Sequence, residues 1–151
     1  AELPFTLPPG DLNALRDQLA DCMWDKVGIV RDAQGLQQAI EELDSLHAQL
    51  HGIGLDTRER AFNLSWQDWL NLDNQIQVSQ VIARAALARD DSRGAHFRSD
   101  FPQVRDLEQS WFSVLRQAQD GLVMERRPVR FTRVQPGQSL LAEDAGAQVQ
   151  A

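Results

Sequence analysis

The sequence predicts a mainly α protein, an antiparallel bundle of three helices followed by a small C-terminal β-hairpin appendage. Three observations carry this. Apolar residues recur every three or four positions in three separate stretches, the periodicity of a single helix face. Short polar or Gly-containing breaks separate the stretches, as they do where neighbouring helices of a bundle run antiparallel. Beyond Pro102 the pattern shortens into apolar runs on either side of Asp120-Gly121, a signal for a hairpin turn.

Residues 1–10, AELPFTLPPG, read as an irregular lead-in. They hold neither the basic segment nor the apolar core of a secretory signal, so none is expected. Asp11 is placed to cap the first helix, in which Leu12, Leu15, Leu19, Cys22 or Met23, and Val27 share a face. A break near Asp32 and Gly35 precedes a second helix carrying Leu36, Ala39, Ile40, Leu43, Leu46 and Leu50. HGIG at 51–54 stops it, with Gly52 and Gly54 expected in the left-handed conformation of a C-terminal cap. The third helix is predicted from Phe62 or Leu64 to about Arg89, on Trp66, Trp69, Leu70, Leu72, Ile76, Val81, Ile82, Ala85, Ala86 and Leu87. At roughly 1.5 Å per residue it spans about 40 Å, and the alanines of ARAALAR suit close approach of a neighbouring helix. The bundle domain thus covers 11–105, and a hairpin or extended appendage covers 106–141. Trp111, Phe112, Val114 and Leu115 form one arm, Leu122 to Met124 the other, and VRFTRV (129–134) alternates like a further strand. The tail, 142–151, is small and polar and expected to be flexible.

With 151 residues, 42% hydrophobic and 25% charged, the chain has the dimensions of one soluble domain with a real core. No run approaches the roughly 18 apolar residues that span a bilayer, which excludes direct membrane insertion by a helix. A formal charge of −7 argues against general affinity for nucleic acid or an anionic membrane. The single cysteine, Cys22, cannot form an internal disulfide, which fits a reducing, cytoplasmic setting.

Several constellations invite chemical readings. His47 and His51, four apart, share a helix face, but HAQLH lacks the glutamate of a zinc protease helix and has no evident third ligand. The plainer reading is two histidines near a helix C-terminus, where positive charge is favourable. Trp66, Trp69 and Trp111 are expected to be core or interface anchors rather than a binding platform. Glu41, Glu42 and Asp44 read as a solvated helix face. Arg126, Arg127, Arg130 and Arg133 make the hairpin region basic, suited to an acidic protein surface. Ser92, His96 and Asp100 have the residue types of a hydrolytic triad but no nucleophile-elbow pattern. No residue is assigned to catalysis, cofactor binding or a metal.

The densest charge lies in RDDSRGAHFRSDFP, 89–102. Gly94 is expected to cap the third helix, arginines in the last turn complement its dipole, and Pro102 prevents it from resuming. That leaves His96, Arg98 and Asp100 unexplained, and such density suits a turn that another surface grips. A free-standing helical interaction module would use it in this way.

ARAALARDDSRGAHFRSDFP also resembles the helix end and turn in the C-terminal domain of the succinate dehydrogenase and fumarate reductase flavoproteins, shared by L-aspartate oxidases and related FAD enzymes. Arg89, Ser92, Arg93, Gly94, Ala95, His96, Arg98 and Asp100 match position by position, while Asp91 stands where glutamate is usual. MWDKVGIVRDAQGLQQAIEEL is similar to the family's first two helices, with Met23, Gly28 and Arg31 at recurring places. The resemblance covers roughly 11–105. It implies a three-helix, spectrin-repeat-like domain that packs on the FAD-binding and capping domains of a longer parent chain. It implies FAD in the parent and no cofactor in this chain, which has no G-x-G-x-x-G. Arg89, Ser92, Arg93, His96, Arg98 and Asp100 then become interdomain docking residues, and loss of Arg93 is expected to loosen docking rather than abolish chemistry. An iron–sulfur subunit, and through it the cytoplasmic face of a membrane, are further partners the resemblance leaves open.

Overall fold

The computed structural model describes residues 3–119 and 121–138. Three helices, α1 (Leu12–Val27), α2 (Ala33–Leu50) and α3 (Leu64–Leu87), each pack against the other two. Each starts on a side chain that accepts the free amides of the first turn. Asp11 accepts from Asn13 and Ala14, Asp32 from Gly35, and Asn63 from Trp66. Helices α2 and α3 run antiparallel, since Asp44 meets Arg84 near one end and Trp69 donates its indole N–H to the Leu50 carbonyl at the other.

The core is what the helical spacing predicts in α1 and α2. Leu15, Leu19, Cys22 and Val27 are buried, as are all six expected residues of α2. In α3 the seam differs. Trp69, Leu72, Ile76, Ser79, Ala83 and Ala86 face inward, whereas Leu70 and Ile82 lie 37% and 42% exposed. The alternating steps of three and four pass through Ser79, and hydrophobicity alone had drawn the face toward its bulkier neighbours.

Within the irregular lead-in, residues 3–10 are tied to the loop that follows α2. A 3-10 turn at Leu3–Phe5 precedes a stretch in which the Pro8 carbonyl accepts from Gly54 N at 2.7 Å and the Pro4 carbonyl from Leu55 N at 3.0 Å. Neither Gly52 nor Gly54 has the left-handed backbone expected of them, and α2 ends at His51 in a right-handed conformation. Gly54 is needed for a different reason. A Cβ there would sit 2.2 Å from the Leu7 carbonyl oxygen, so the loop and lead-in can meet only over a bare backbone.

Helix α3 ends on Ala88, not Gly94. Gly94, at φ +55°, instead opens a tight turn in which Arg93 and His96 exchange both backbone hydrogen bonds, at 2.8 and 3.0 Å. This turn leads into a two-residue strand, β2 (Phe97–Arg98), that pairs in parallel with β1 (Val30–Arg31) in the α1–α2 link. Two-residue strands leave no periodicity to read.

The expected hairpin is present. β3 (Trp111–Ala118) and β4 (Gly121–Pro128) pair antiparallel along their whole length, and Gly121 takes a positive φ at the turn. Asp120 lies outside the described residues. The further strand expected at 129–134 does not form. Pro128 has no N–H to continue the ladder, and after one bond from Val129 N to the Ser110 carbonyl the chain runs irregularly. The 142–151 tail lies outside the described residues. No helix among the described residues is long and apolar enough to cross a membrane.

Candidate functional site

The charged turn sits where three helix ends converge, and its buried charges are used inside the domain. Arg98 is 1% exposed. Its Nη1 donates to the carbonyls of Ala86, Leu87 and Arg89 at 3.0–3.1 Å, closing the C-terminus of α3. Its Nε and Nη2 form a bidentate pair with the Asp100 carboxylate, both at 2.7 Å. Asp100 also accepts from Ala33 N, a free amide of the first turn of α2, at 3.0 Å. Hydrogen bonding by Arg98, more than the Ala33 amide, holds the Asp100 carboxyl down to about 2. Arg31 does for α1 what Arg98 does for α3, donating from Nε to the carbonyls of Val27 and Gly28. Gly28 is constrained there, because a Cβ would lie 2.8 Å from the Trp24 carbonyl oxygen.

His96 joins the two systems. Its Nδ1 lies 2.5 Å from Arg31 Nη1, so Nδ1 accepts and the ring proton is on Nε2, which is buried with no partner of hydrogen-bond geometry. Burial first, then the Arg31 guanidinium, lower its pKa from the ordinary histidine value. Asp91 is fully buried between Arg89 Nε at 3.0 Å and Arg93 Nε at 2.5 Å. Arg93 continues to Ser110 Oγ at 2.6 Å and to the carbonyls of Arg105 and Asp106, tying the turn to the segment before the hairpin. Arg126 reaches back from β4 to the Ala88 carbonyl and lies over the Trp111 ring at 4.7 Å.

Of the six residues expected on a docking surface, Ser92 and Arg98 are therefore buried and Asp100 is bound to its own chain. Arg89, Arg93 and His96 are partly accessible. Ser92 donates to the Phe101 carbonyl at 2.8 Å and accepts from Arg98 N, while His96 faces Arg31 and Asp100 faces Arg98. No hydrolytic triad is assembled. Arg31 and Asp91 belong to this network although the charge pattern did not single them out as site residues. Asp91 pairs locally with Arg89 and Arg93, whereas Arg31 meets His96 only once the fold brings the two segments together.

Beside these charges lies uncovered apolar surface. β1–β2 pairing brings Val30 opposite Phe97, yet Ile29, Val30 and Phe97 are 67%, 66% and 39% exposed, and Trp24 one turn earlier is 84% exposed. The tryptophans form no platform. Trp66 packs edge-on against Phe5, Trp69 is buried beside His51, and Trp111 lies under Arg89 and Arg126. Glu41, Glu42 and Asp44 are on an exposed face, with Glu42 paired to Lys26 and Asp44 to Arg84.

A second cluster stands at the other end of α2. His47 Nε2 and His51 Nε2 lie 3.2 and 2.9 Å from the same oxygen, Asp73 Oδ1. The third group comes from α3, where sequence spacing could not reveal it.

The fumarate reductase flavoprotein C-terminal family matches residues 16–140. A fumarate reductase flavoprotein subunit of Mycobacterium tuberculosis is 32% identical over 125 residues, 82% of this chain and 21% of its own. An uncharacterised FAD-dependent oxidoreductase of Methanocaldococcus jannaschii is 33% identical over 99 residues, 64% of this chain and 17% of its own. Among solved structures, E. coli quinol fumarate reductase superimposes with a TM-score of 0.82 at 23% identity, over 91% of this chain and 24% of that one. Mycobacterium smegmatis Sdh1 in complex with UQ1 gives 0.75 at 28%, over 82% and 21%. This chain thus spans about a fifth of the relatives it matches, and it belongs to the C-terminal domain family of the fumarate reductase and succinate dehydrogenase flavoprotein subunits.

Proposed function

We propose that this domain serves as a docking element of an FAD-dependent oxidoreductase acting on a dicarboxylate, seated against the flavin-binding and capping domains of its parent chain. Bound FAD would supply the hydride chemistry there. The two short sheets described here include no βαβ unit with a Gly-rich phosphate loop, so no residue of this chain is assigned to the flavin and no step is derived through it. The domain's own part is to present a rigid surface in which Arg89, Arg93 and His96 flank the apolar patch of Ile29, Val30 and Phe97. Assembly with further subunits would then occur through the parent.

The observation that carries this reading is the patch itself. Exposed apolar residues gathered by backbone pairing next to fixed charges are the mark of an interaction surface. Full burial of a completely exposed side chain of this kind is about 1.5–3 kcal/mol, and Ile29 and Val30, about two-thirds exposed, have most of that to gain. Ile29→Asp and Val30→Asp, made in the full-length flavoprotein subunit, are expected to lower flavin retention and thermal stability. The same changes in the 151-residue chain should leave its melting temperature nearly unaltered. A full-length variant that keeps its flavin and its Tm would overturn the docking role.

A further inference from the structure

We propose that His47, His51 and Asp73 form a binding site for a divalent transition metal ion, zinc in the first instance. His47 and His51 project from successive turns of α2, and Asp73 comes from the antiparallel α3. Their candidate ligand atoms all lie within 4.8 Å of one another. The two Nε2–Oδ1 distances, 3.2 and 2.9 Å, approach the edge of a tetrahedron with metal–ligand bonds of about 2.0–2.1 Å, which is about 3.3 Å. Without metal, one carboxylate oxygen accepts from both imidazole Nε2–H groups. A metal ion takes the place of those two protons, which move to the Nδ1 atoms, as the ligand atoms, up to 4.8 Å apart, close to an edge of about 3.3 Å.

The surroundings hold the ligands in this pose. Gln77 Nε2 donates to the other carboxylate oxygen, Asp73 Oδ2, at 2.8 Å, fixing the carboxylate and leaving Oδ1 toward the histidines. The His51 ring packs on Trp69 at 5.2 Å and on the His47 ring at 4.5 Å. His51 caps α2, whose C-terminal carbonyls favour a cation. The three side chains are 36%, 39% and 17% exposed, and the two histidines line a cleft between α2, α3 and the β3–β4 hairpin where Leu115 and Leu122 form the far wall. Three protein ligands leave a fourth position open to that cleft for water or an anionic ligand. Two imidazoles and one carboxylate favour zinc, nickel or copper over magnesium, which demands oxygen ligands. The one thiol does not compete, because Cys22 is buried and its pKa is pushed up to about 11.

The test is calorimetric titration of the untagged 151-residue chain with zinc chloride, with magnesium chloride as comparison. One zinc per chain and no magnesium heat are expected. Removing a group that merely orients a metal ligand costs about 10–100-fold in affinity, so His51→Gln and Asp73→Asn should each weaken zinc binding at least tenfold. Circular dichroism checks that each variant is folded. X-ray absorption of the zinc-loaded native chain gives the ligand set independently of any variant, with nitrogen and oxygen neighbours and no sulfur expected. No zinc binding by the native chain would overturn the proposal. So would affinity undiminished in either folded variant, or a sulfur ligand in the absorption spectrum.

Discussion

Replacing Arg98 with methionine keeps much of the volume of its stem and removes its guanidinium. That guanidinium makes five hydrogen bonds, three to the carbonyls that end α3 and two to Asp100. The side chain is 1% exposed, so water cannot take over the abandoned carbonyls without opening the turn. Hydrogen bonds to charged groups contribute about 1.5–3 kcal/mol each, but they share one donor group and do not add. The Asp100 carboxylate left behind is 31% exposed and can be solvated, so the loss comes from the abandoned carbonyls, about 1–3 kcal/mol for each left unpaired and about 3–5 kcal/mol together. For a chain of this size each kcal/mol moves Tm by about 2–4 °C, so Arg98→Met should lower Tm on the order of 10 °C. Thermal and urea unfolding followed by far-ultraviolet circular dichroism measure this directly. Arg98→Lys should recover only a small part, since an ammonium cannot span three carbonyls and a carboxylate in one plane. A loss below about 1 kcal/mol for Arg98→Met would refute the claim that this one residue closes α3.

Gly54→Ala should cost at least about 2 kcal/mol, because the new Cβ meets backbone oxygens of Leu7 and Pro4 that cannot rotate away; chemical denaturation reads it. His96 gives a pH dependence whose sign follows from its lowered pKa. The unfolded chain binds its proton more readily than the folded one, so this contribution to stability is complete above the unfolded value, near 6.5, and is lost as pH falls through it. Urea midpoints at pH 7.5 and 5.5 should differ in the native chain, and His96→Gln should shrink the difference.

How much of this was legible in the sequence depended on the range of each interaction. Leu36 to Leu50 could be read as a buried face because helical spacing is local, and the Asp120-Gly121 signal located the hairpin for the same reason. Ser79 was missed because a small polar residue in a tight seam looks like a gap in the pattern. Gly94 serves the turn before β2 and not the end of α3, because a glycine reports a backbone conformation without saying which element needs it. Pro128 is visible, but its effect on the next stretch requires knowing that, among the described residues, no strand pairs with 129–134. The charged stretch 89–102 is conspicuous, but its long-range partners are Ile29, Arg31 and Ala33, more than sixty residues away. Asp73 was unreadable for a like reason, since α2 and α3 must pack before it meets the histidines.

The sign of each charge explains why the turn is so crowded. Arg31 and Arg98 lie at the C-termini of α1 and α3, where backbone carbonyls carry partial negative charge. Asp100 lies at the N-terminus of α2, where amides carry the opposite. An antiparallel three-helix bundle brings two C-termini and one N-terminus to the same end. Two cations and one anion there match the backbone, and the bidentate Arg98–Asp100 pair links two of the three termini directly. Charge density that looked like an excess for one loop is therefore distributed over three helices. It follows that folding and docking are separable in this domain by choice of residue. A change at Arg98 alters the bundle end and, through it, everything the end presents. Changes at Ile29 or Val30, whose side chains are about two-thirds exposed at the same end, alter only what the surface can bind.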